Sequence, residues 1–340
     1  MTKRANNLIL QIADMDNIML AFWKAKRGRE MKEEVKEFAN KLNANLLKIQ
    51  NGVLEGNIEL GNYHYFKIYD PKERVICAAS FPERILHHAI MNICHPVFEQ
   101  VQLFDSYATR VNKGQYAALE RAKQFQNKYK WFCKLDVRKY FDSIDHQVLK
   151  TLLRHKFKDY QLLDLFNRII GSYEVTPGKG IPIGNLTSQY FANYYLSFAD
   201  HFLKETIHVP AYIRYMDDMV LWHTDLSLLS EIKVKFVNYI ETELKLKVKP
   251  DCTNCNEKGL PFLGYVLFPN SFVRMNKHSK SRFASKFKKY SELLNNGSWS
   301  EKEFSNHVTP LFAFAQYADT LEYRKKLILA QETGQGALTE

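Results

Sequence analysis

The sequence predicts an α+β fold. Three segments hold short apolar runs that read as strands: WFCKLDV at 131–137, the pair AYIRYM and MVLW within 210–222, and LPFLGYVLF at 260–268. Segments of helical period separate them, and helical patterning fills both ends of the chain with no internal repeat. With 340 residues and 46% apolar side chains, the chain can build ample core and is too apolar to be disordered.

Residues 5–50 read as helices. Leu8, Ile9, Ile12, Met15, Met19 and Phe22 keep helical spacing, and the charged stretch KAKRGREMKEEVKE follows. NYHYFKIYD and RVICAAS read as a two-stranded hairpin turning at Asp70–Pro71. PERILHHAIMNICHPVFE, 82–99, reads as a helix interrupted near Pro96, because proline lacks the N–H that a helix interior needs. After the buried strand at 131–137 come a turn and a helix from about Asp145. Residues 187–206 form a long aromatic-rich helix, and 210–222 a hairpin with two acids between its strands. Residues 231–247 form a charged amphipathic helix running into LKLKVKP; 260–268 is a further strand and 274–330 is helical. The resulting division is a helical extension at 1–59, a core at 60–270, helices at 271–330 and a loose tail at 331–340.

Lys and Arg outnumber Asp and Glu to give a net charge of +11, which suits a polyanionic partner, either nucleic acid or an acidic membrane face. The N-terminus has no uninterrupted apolar stretch and no window reaches 18 apolar residues. The expectation is a cytoplasmic chain with no secretion signal and no membrane association. Five cysteines, an odd and scattered set, fit a reducing compartment; Cys252 and Cys255 form a CxxC with no second pair to complete a zinc site.

The stretch RYMDDMV poses the functional question. Asp217 and Asp218 sit side by side in an apolar strand-like run. Two adjacent aspartates can simply make a turn. Asp136, however, ends another strand, and neighbouring strands would bring the three carboxylates together. Such a cluster is unfavourable alone but suits Mg²⁺, and two such ions can serve in-line phosphoryl transfer.

YMDD, with KLDVRKYFDSIDH before it and the turn-to-helix stretch GIPIGNLTSQYFAN between them, resembles the ordered motif set of reverse transcriptases. LKLKVKP and FLGYVLF follow where that family carries its next two motifs, and PKERVICAASFPERILHHAI with SYATRVNKG resembles its upstream fingers motifs. The resemblance covers about 60–270 and implies a right-hand polymerase fold. Fingers come first, then a palm whose antiparallel sheet carries the YMDD hairpin, then a helical thumb.

It further implies that Asp136, Asp217 and Asp218, with the Val137 carbonyl, hold two Mg²⁺ ions, Mn²⁺ being the in-vitro substitute. Lys72 and Arg74 would grip the triphosphate of a dNTP. Phe141 would exclude a ribose 2′-OH, or else be a core residue. Ile183, Gly184 and Gln189 would border the nascent pair, and Leu263, Gly264 and Tyr265 would form the primer grip. Lys245, Lys247 or Lys249 would protonate the leaving pyrophosphate, the choice staying open. The basic run 274–290 holds seven Lys or Arg and no acid, with Phe283, Phe287 and Tyr290 interleaved. Lying in the thumb, Lys280, Arg282, Lys286, Lys288 and Lys289 would contact phosphates of an RNA–cDNA hybrid. His87 and His88, adjacent on a helix, read as structural.

The chain is too short for a polymerase core plus RNase H, integrase, protease or endonuclease. Its turn reads IGNLTSQ rather than the QGxxxSP of group II intron maturases. That form is similar to the reverse transcriptases of diversity-generating retroelements. The resemblance then implies copying of a template-repeat RNA into cDNA with errors at adenines, for diversification of a target gene. The implied partners are that template RNA and a small, basic, oligomeric helical-bundle accessory protein. Alternatives are a retron-type or phage-defence reverse transcriptase, or an RNA-binding protein with a decayed polymerase site. The intact acids argue against the latter. An RNA-dependent RNA polymerase is disfavoured by Phe141.

Overall fold

The computed structural model describes residues 4–69 and 73–332. The Asp70–Pro71 turn, Lys72 and residues 333–340 lie outside that range.

Four helices, Ile9–Ile12, Met15–Lys26, Glu33–Asn40 and Leu42–Glu55, open the chain. Strands β1 (Tyr63–Tyr69) and β2 (Glu73–Ala79) then pair as an antiparallel ribbon. The helix Phe81–Glu99 runs through Pro96 without the expected interruption. Only one turn remains beyond the proline, and Phe98 in that turn packs among Phe157, Phe166, Phe191 and Tyr194. Burial of that ring, worth about 1.5–3 kcal/mol, outweighs one missing hydrogen bond. The helix Gln115–Lys128 leads to strand β3 (Trp131–Asp136). A short helical turn, Tyr140–Ser143, precedes His146–Lys156, whose N-cap Asp145 accepts from the Gln147 and Val148 N–H groups. Helix Tyr160–Gly171 follows, then Leu186–His201, extended by a π-helical turn at Phe202–Thr206.

Strands β4 (Ala211–Tyr215) and β5 (Asp218–His223) form the hairpin, and helix Leu226–Thr242 covers one face of the sheet. Strand β6 (Cys252–Cys255) completes a four-stranded sheet in the order β4-β5-β3-β6. The CxxC is thus a strand, and positions three apart on a strand face opposite ways, so the two thiols do not share a ligand. The run expected to be one strand at 260–268 is a tight hairpin, β7 (Leu260–Phe262) and β8 (Tyr265–Leu267), to which β9 (Val273–Met275) adds. Leu263 at φ 48° and Gly264 at φ 90° make its two-residue turn, and consecutive left-handed residues are what such a turn needs. Helices Lys277–Asn295, Glu301–Gln316 and Leu321–Glu332 close the described chain, so 331 and 332 belong to a helix rather than to a tail.

The palm sheet is buried on both faces. Cys133, Leu135, Tyr212, Met219 and Leu221 belong to one core, shared with the N-terminal and fingers helices. Phe132, Ala211, Ile213, Val220 and Trp222 alternate into a second core, shared with Gln115–Lys128, the three-stranded sheet and the thumb. Burial on both faces explains why these strands read as continuous apolar runs rather than as alternating ones.

Candidate active site at the end of the palm sheet

Register brings the acids together. In the antiparallel pair β3–β5, Asp136 lies directly opposite Asp218. In β4–β5, Tyr215 pairs with Asp218, leaving Met216 and Asp217 as the turn. Met216 holds φ 56°, an uncommon backbone state for a non-glycine residue. Burial, then the Asp136 carboxylate and more weakly that of Asp218, push the Asp217 carboxyl up to about 6.

Two lysines face the cluster. Lys249 Nζ lies 2.6 Å from Asp136 Oδ1, and Lys134 Nζ 2.9 Å from Asp218 Oδ1. Lys249 is set there by backbone pairing, since its N–H donates to the Asp136 carbonyl at 2.9 Å and Val137 bridges Val248. Of the three candidate lysines it alone reaches the acids: Lys245 lies 3.7 Å from Asp145, and the Lys247 carbonyl accepts the Arg138 N–H. Among the described residues, no three His, Cys, Asp or Glu side chains converge on one ion position as they stand. The donor set nevertheless suits a hard divalent cation, being all carboxylate with two ammonium groups drawn to it.

The other expected residues are placed as follows. Arg74 is exposed on β2; Lys72 lies outside the described residues. Phe141 is half-buried, edge-on to Tyr140 at 5.8 Å, and its carbonyl accepts the Ile181 N–H. The Ile183 carbonyl accepts the Cys77 N–H at 2.8 Å, docking the turn on the fingers ribbon. Gly184 sits at φ 122°, and a Cβ there would lie 3.0 Å from the Cys77 carbonyl oxygen, so only glycine fits. Gln189 accepts from the Thr109 hydroxyl at 3.5 Å.

Leu263 and Gly264 are held by Gln115 Nε2 on the Leu263 carbonyl at 2.9 Å and the Asn276 N–H on the Gly264 carbonyl at 3.1 Å. The Tyr265 ring is buried, stacks on Phe314 at 4.6 Å and donates to the Phe314 carbonyl. In the thumb, Phe283 and Phe287 are buried against Phe312 and Tyr290 packs on Trp299. The rings interleaved with the basic run are therefore packing residues. Lys280 lies 4.6 Å above the Tyr323 ring, while Arg282, Lys288 and Lys289 are exposed and Lys286 is half-buried.

Sequence reasoning passed over Arg214, the residue before Tyr215. It is fully buried, and its Nε and Nη2 grip both Asp200 oxygens at 2.7–2.9 Å. Nη1 donates to Asn193 Oδ1 at 3.0 Å and to the Met216 carbonyl at 3.2 Å; Nη2 also reaches Gln102 Oε1 at 3.2 Å. Burial opposes the charge, but Asp200 outweighs it and holds the guanidinium firmly protonated. This network ties the acid-bearing turn to the helix Leu186–His201. The only signal for it in the sequence is an arginine inside an apolar strand.

Residues 69–267 match the family described as reverse transcriptase (RNA-dependent DNA polymerase). The group II intron-encoded protein LtrA of Lactococcus lactis subsp. cremoris is 26% identical over 228 residues, 62% of this chain and 37% of that protein. The putative COX1/OXI3 intron 1 protein of Saccharomyces cerevisiae is 24% identical over 217 residues, 60% of this chain and 26% of that protein. This chain thus spans well under half of either. Protein YkfC of Escherichia coli is 22% identical over 273 residues, 65% of this chain and 72% of that protein. Telomerase from Candida tropicalis, solved with a fragment of telomeric RNA, shares 13% identity at a TM-score of 0.47 over 88% of this chain and 62% of that one, a likeness that carries no argument. With more than half of its length matched, the chain belongs to the reverse transcriptase family.

Proposed function

We propose that the chain copies RNA into DNA by in-line nucleotidyl transfer at Asp136, Asp217 and Asp218. One observation carries this reading: the β3–β5 register sets Asp136 against Asp218 with Asp217 in the adjoining turn, three carboxylates at one end of a sheet. Reverse transcriptases work with divalent metal ions, and these acids with the Val137 carbonyl would hold two Mg²⁺, or Mn²⁺ in vitro, in place of the ammonium groups of Lys134 and Lys249. When bound, such ions neutralise charge at the attacking and leaving oxygens.

The chain's own side chains set what enters. Arg74 and Lys72 hold the triphosphate of the dNTP, and Lys249 supplies a proton to the leaving group. Half-buried Phe141 presents its ring to the sugar. Gly184 lets the backbone approach the nascent pair, flanked by Ile183 and Gln189. The turn at Leu263 and Gly264, next to Tyr265, positions the primer. Lys280, Arg282, Lys286, Lys288 and Lys289 follow the hybrid backbone along the thumb.

The finer reading rests on the turn from Ile183 to Gln189. It is that of a cytoplasmic retroelement enzyme that copies a template-repeat RNA with adenine-directed errors beside a small basic accessory protein. Ile183 offers the nascent pair no hydrogen bond. The test purifies the chain with its flanking RNA and accessory protein and sequences the cDNA. Errors concentrated opposite template adenine support the finer reading, and even errors reject it. Asp217→Ala should abolish primer extension while RNA binding persists. Substantial extension by that variant rejects the polymerase site itself.

A further inference from the structure

Among the described residues, no backbone ladder joins the sheet that carries the acids to the sheet that carries the Leu263–Gly264 turn: β4-β5-β3-β6 and β7-β8-β9 pair only within themselves. Side chains bridge them instead. Lys134 Nζ reaches both Asp218 and the Pro261 carbonyl, at 2.9 and 3.2 Å, so β7 runs beside the acid-bearing end of β5. From the helix Gln115–Lys128, Gln126 Nε2 donates to the Leu267 carbonyl at 2.8 Å and Gln115 Nε2 to the Leu263 carbonyl at 2.9 Å. Positions 115 and 126 are about three helical turns apart and share one face. The helix therefore lies along the hairpin, with Gln115 at its turn and Gln126 at its open end, where Leu260 pairs with Leu267.

Gln115 stands on a rigid base. The Tyr107 N–H donates to the Arg214 carbonyl at 2.9 Å, and the Gly114 N–H to the Tyr107 carbonyl at 3.0 Å. Within this loop Arg110 is bidentate on Glu99 and donates to the Leu103 and Ser106 carbonyls, both at 2.6 Å. Thr109 and Asn112 hold φ 56° and 58°, states that persist where surrounding contacts impose them. Arg214 Nη1 in turn donates to the Met216 carbonyl. Hydrogen bonds thus run from the acid-bearing turn through Arg214, Tyr107 and Gly114 to Gln115 and Leu263. The opposite side of the Leu263–Gly264 turn belongs to the thumb. The Asn276 N–H donates to the Gly264 carbonyl, and a Cβ on Gly264 would lie 2.9 Å from the Phe314 ring. Without the Gln115 amide, the turn would follow the thumb rather than the acids.

We infer that Gln115 is a positioning residue for primer extension, holding the Leu263–Gly264 turn at a fixed distance from Asp217 and Asp218 and so setting where the primer 3′ end meets the acids. This role rests on the polymerase reading and extends it. Gln115 touches neither the acids nor the nucleotide in that reading; it acts through Leu263. A small misplacement of a reacting group costs rate far more than it costs binding.

The test is single-turnover addition of one dNTP to a DNA primer on an RNA template, with the 3′ terminus either matched or mispaired. Gln115→Leu keeps the size of the half-buried side chain and removes its donor. It should slow addition to the matched terminus by about 10–100-fold, with hybrid Kd and dNTP KM within about twofold of wild type. A mispaired terminus is already displaced and gains little from a well-placed turn. Its extension should fall by no more than about twofold, so discrimination between the two termini narrows. Gln126→Leu breaks the equivalent bond at the far end of the hairpin and strands the Trp222 Nε1–H. It should lower Tm more than Gln115→Leu does and leave that discrimination at the wild-type ratio. Four results overturn the inference: an unchanged matched rate in Gln115→Leu, an equal fall at both termini, a loss accounted for by a raised hybrid Kd, or the same narrowing in Gln126→Leu. A wild-type chain that neither binds nor extends a hybrid instead fails the polymerase reading.

Discussion

Arg214, beside the acid-bearing turn, and Arg84, beside the Gly184 turn, are two arginines in contrasting electrostatic surroundings. Arg214 is fully buried, and Asp200, Asn193, Gln102 and the Met216 carbonyl together engage its guanidinium. Arg84 is half-buried with Nε unpartnered. A charge taken out of water persists only where partners replace the water. In the palm those partners are protein, so the arginine fixes structure. In the fingers the half-buried Arg84 keeps part of its side chain in water and makes no ion pair among the described residues, so burial and the nearby Arg29 lower its pKa, and Glu34 offsets them only in part.

The largest expected effect comes from breaking the satisfied side. Arg214→Met strands the Asp200 carboxylate and should cost about 3–5 kcal/mol, read by urea or thermal unfolding. Arg84→Gln should shift the same curve by no more than about 0.5 kcal/mol. The pair Arg214→Met with Asp200→Leu should recover most of the stability, because neither charge is then orphaned. Extension should stay depressed in that pair, since the bond to the Met216 carbonyl is gone. Full recovery of extension would show that Arg214 serves folding only.

Lys249 stands between these two states, being paired to Asp136 yet 39% exposed. Lys249→Gln should slow single-nucleotide extension by on the order of 10²-fold, the scale of general-acid catalysis. Lys245→Gln, whose nearest acid is Asp145, should stay close to wild type. Equal rates for the two variants would remove the distinction drawn from the backbone pairing at 247–249.

Apolar side chains sharpen the same contrast. Phe141→Ala should raise ribonucleotide incorporation relative to dNTPs by about 10–100-fold, with stability nearly unchanged because the ring is only half-buried. Unaltered discrimination with a large drop in Tm would make it a core residue. The smallest effect belongs to Ile183→Gln. One regained hydrogen bond, about 1 kcal/mol, should lower misincorporation opposite template adenine severalfold, more than opposite other bases. Matched single-nucleotide extensions measure it, and uniform fidelity across bases would assign the looseness elsewhere.

The sequence by itself determined what depends on near neighbours. The YMDD turn between two strands, the fingers ribbon, the Asp145 cap and the two-faced burial of the palm strands all follow from local period and turn chemistry. The acid pair and the strand-ending Asp136 were legible for the same reason. Tertiary structure decided what depends on pairing between distant segments. Lys249 meets Asp136 across 113 residues because β3 continues into a backbone bridge with 247–249, and no spacing rule separates it from Lys245 or Lys247. Helix Phe81–Glu99 passes Pro96 because Phe98 packs on residues 59 to 96 positions away. Phe283 and Phe287 turn into the thumb core because Phe312 arrives on another helix. Such outcomes rest on side chains satisfying or burying one another at long range, and periodicity along one segment carries no record of the partner it will meet.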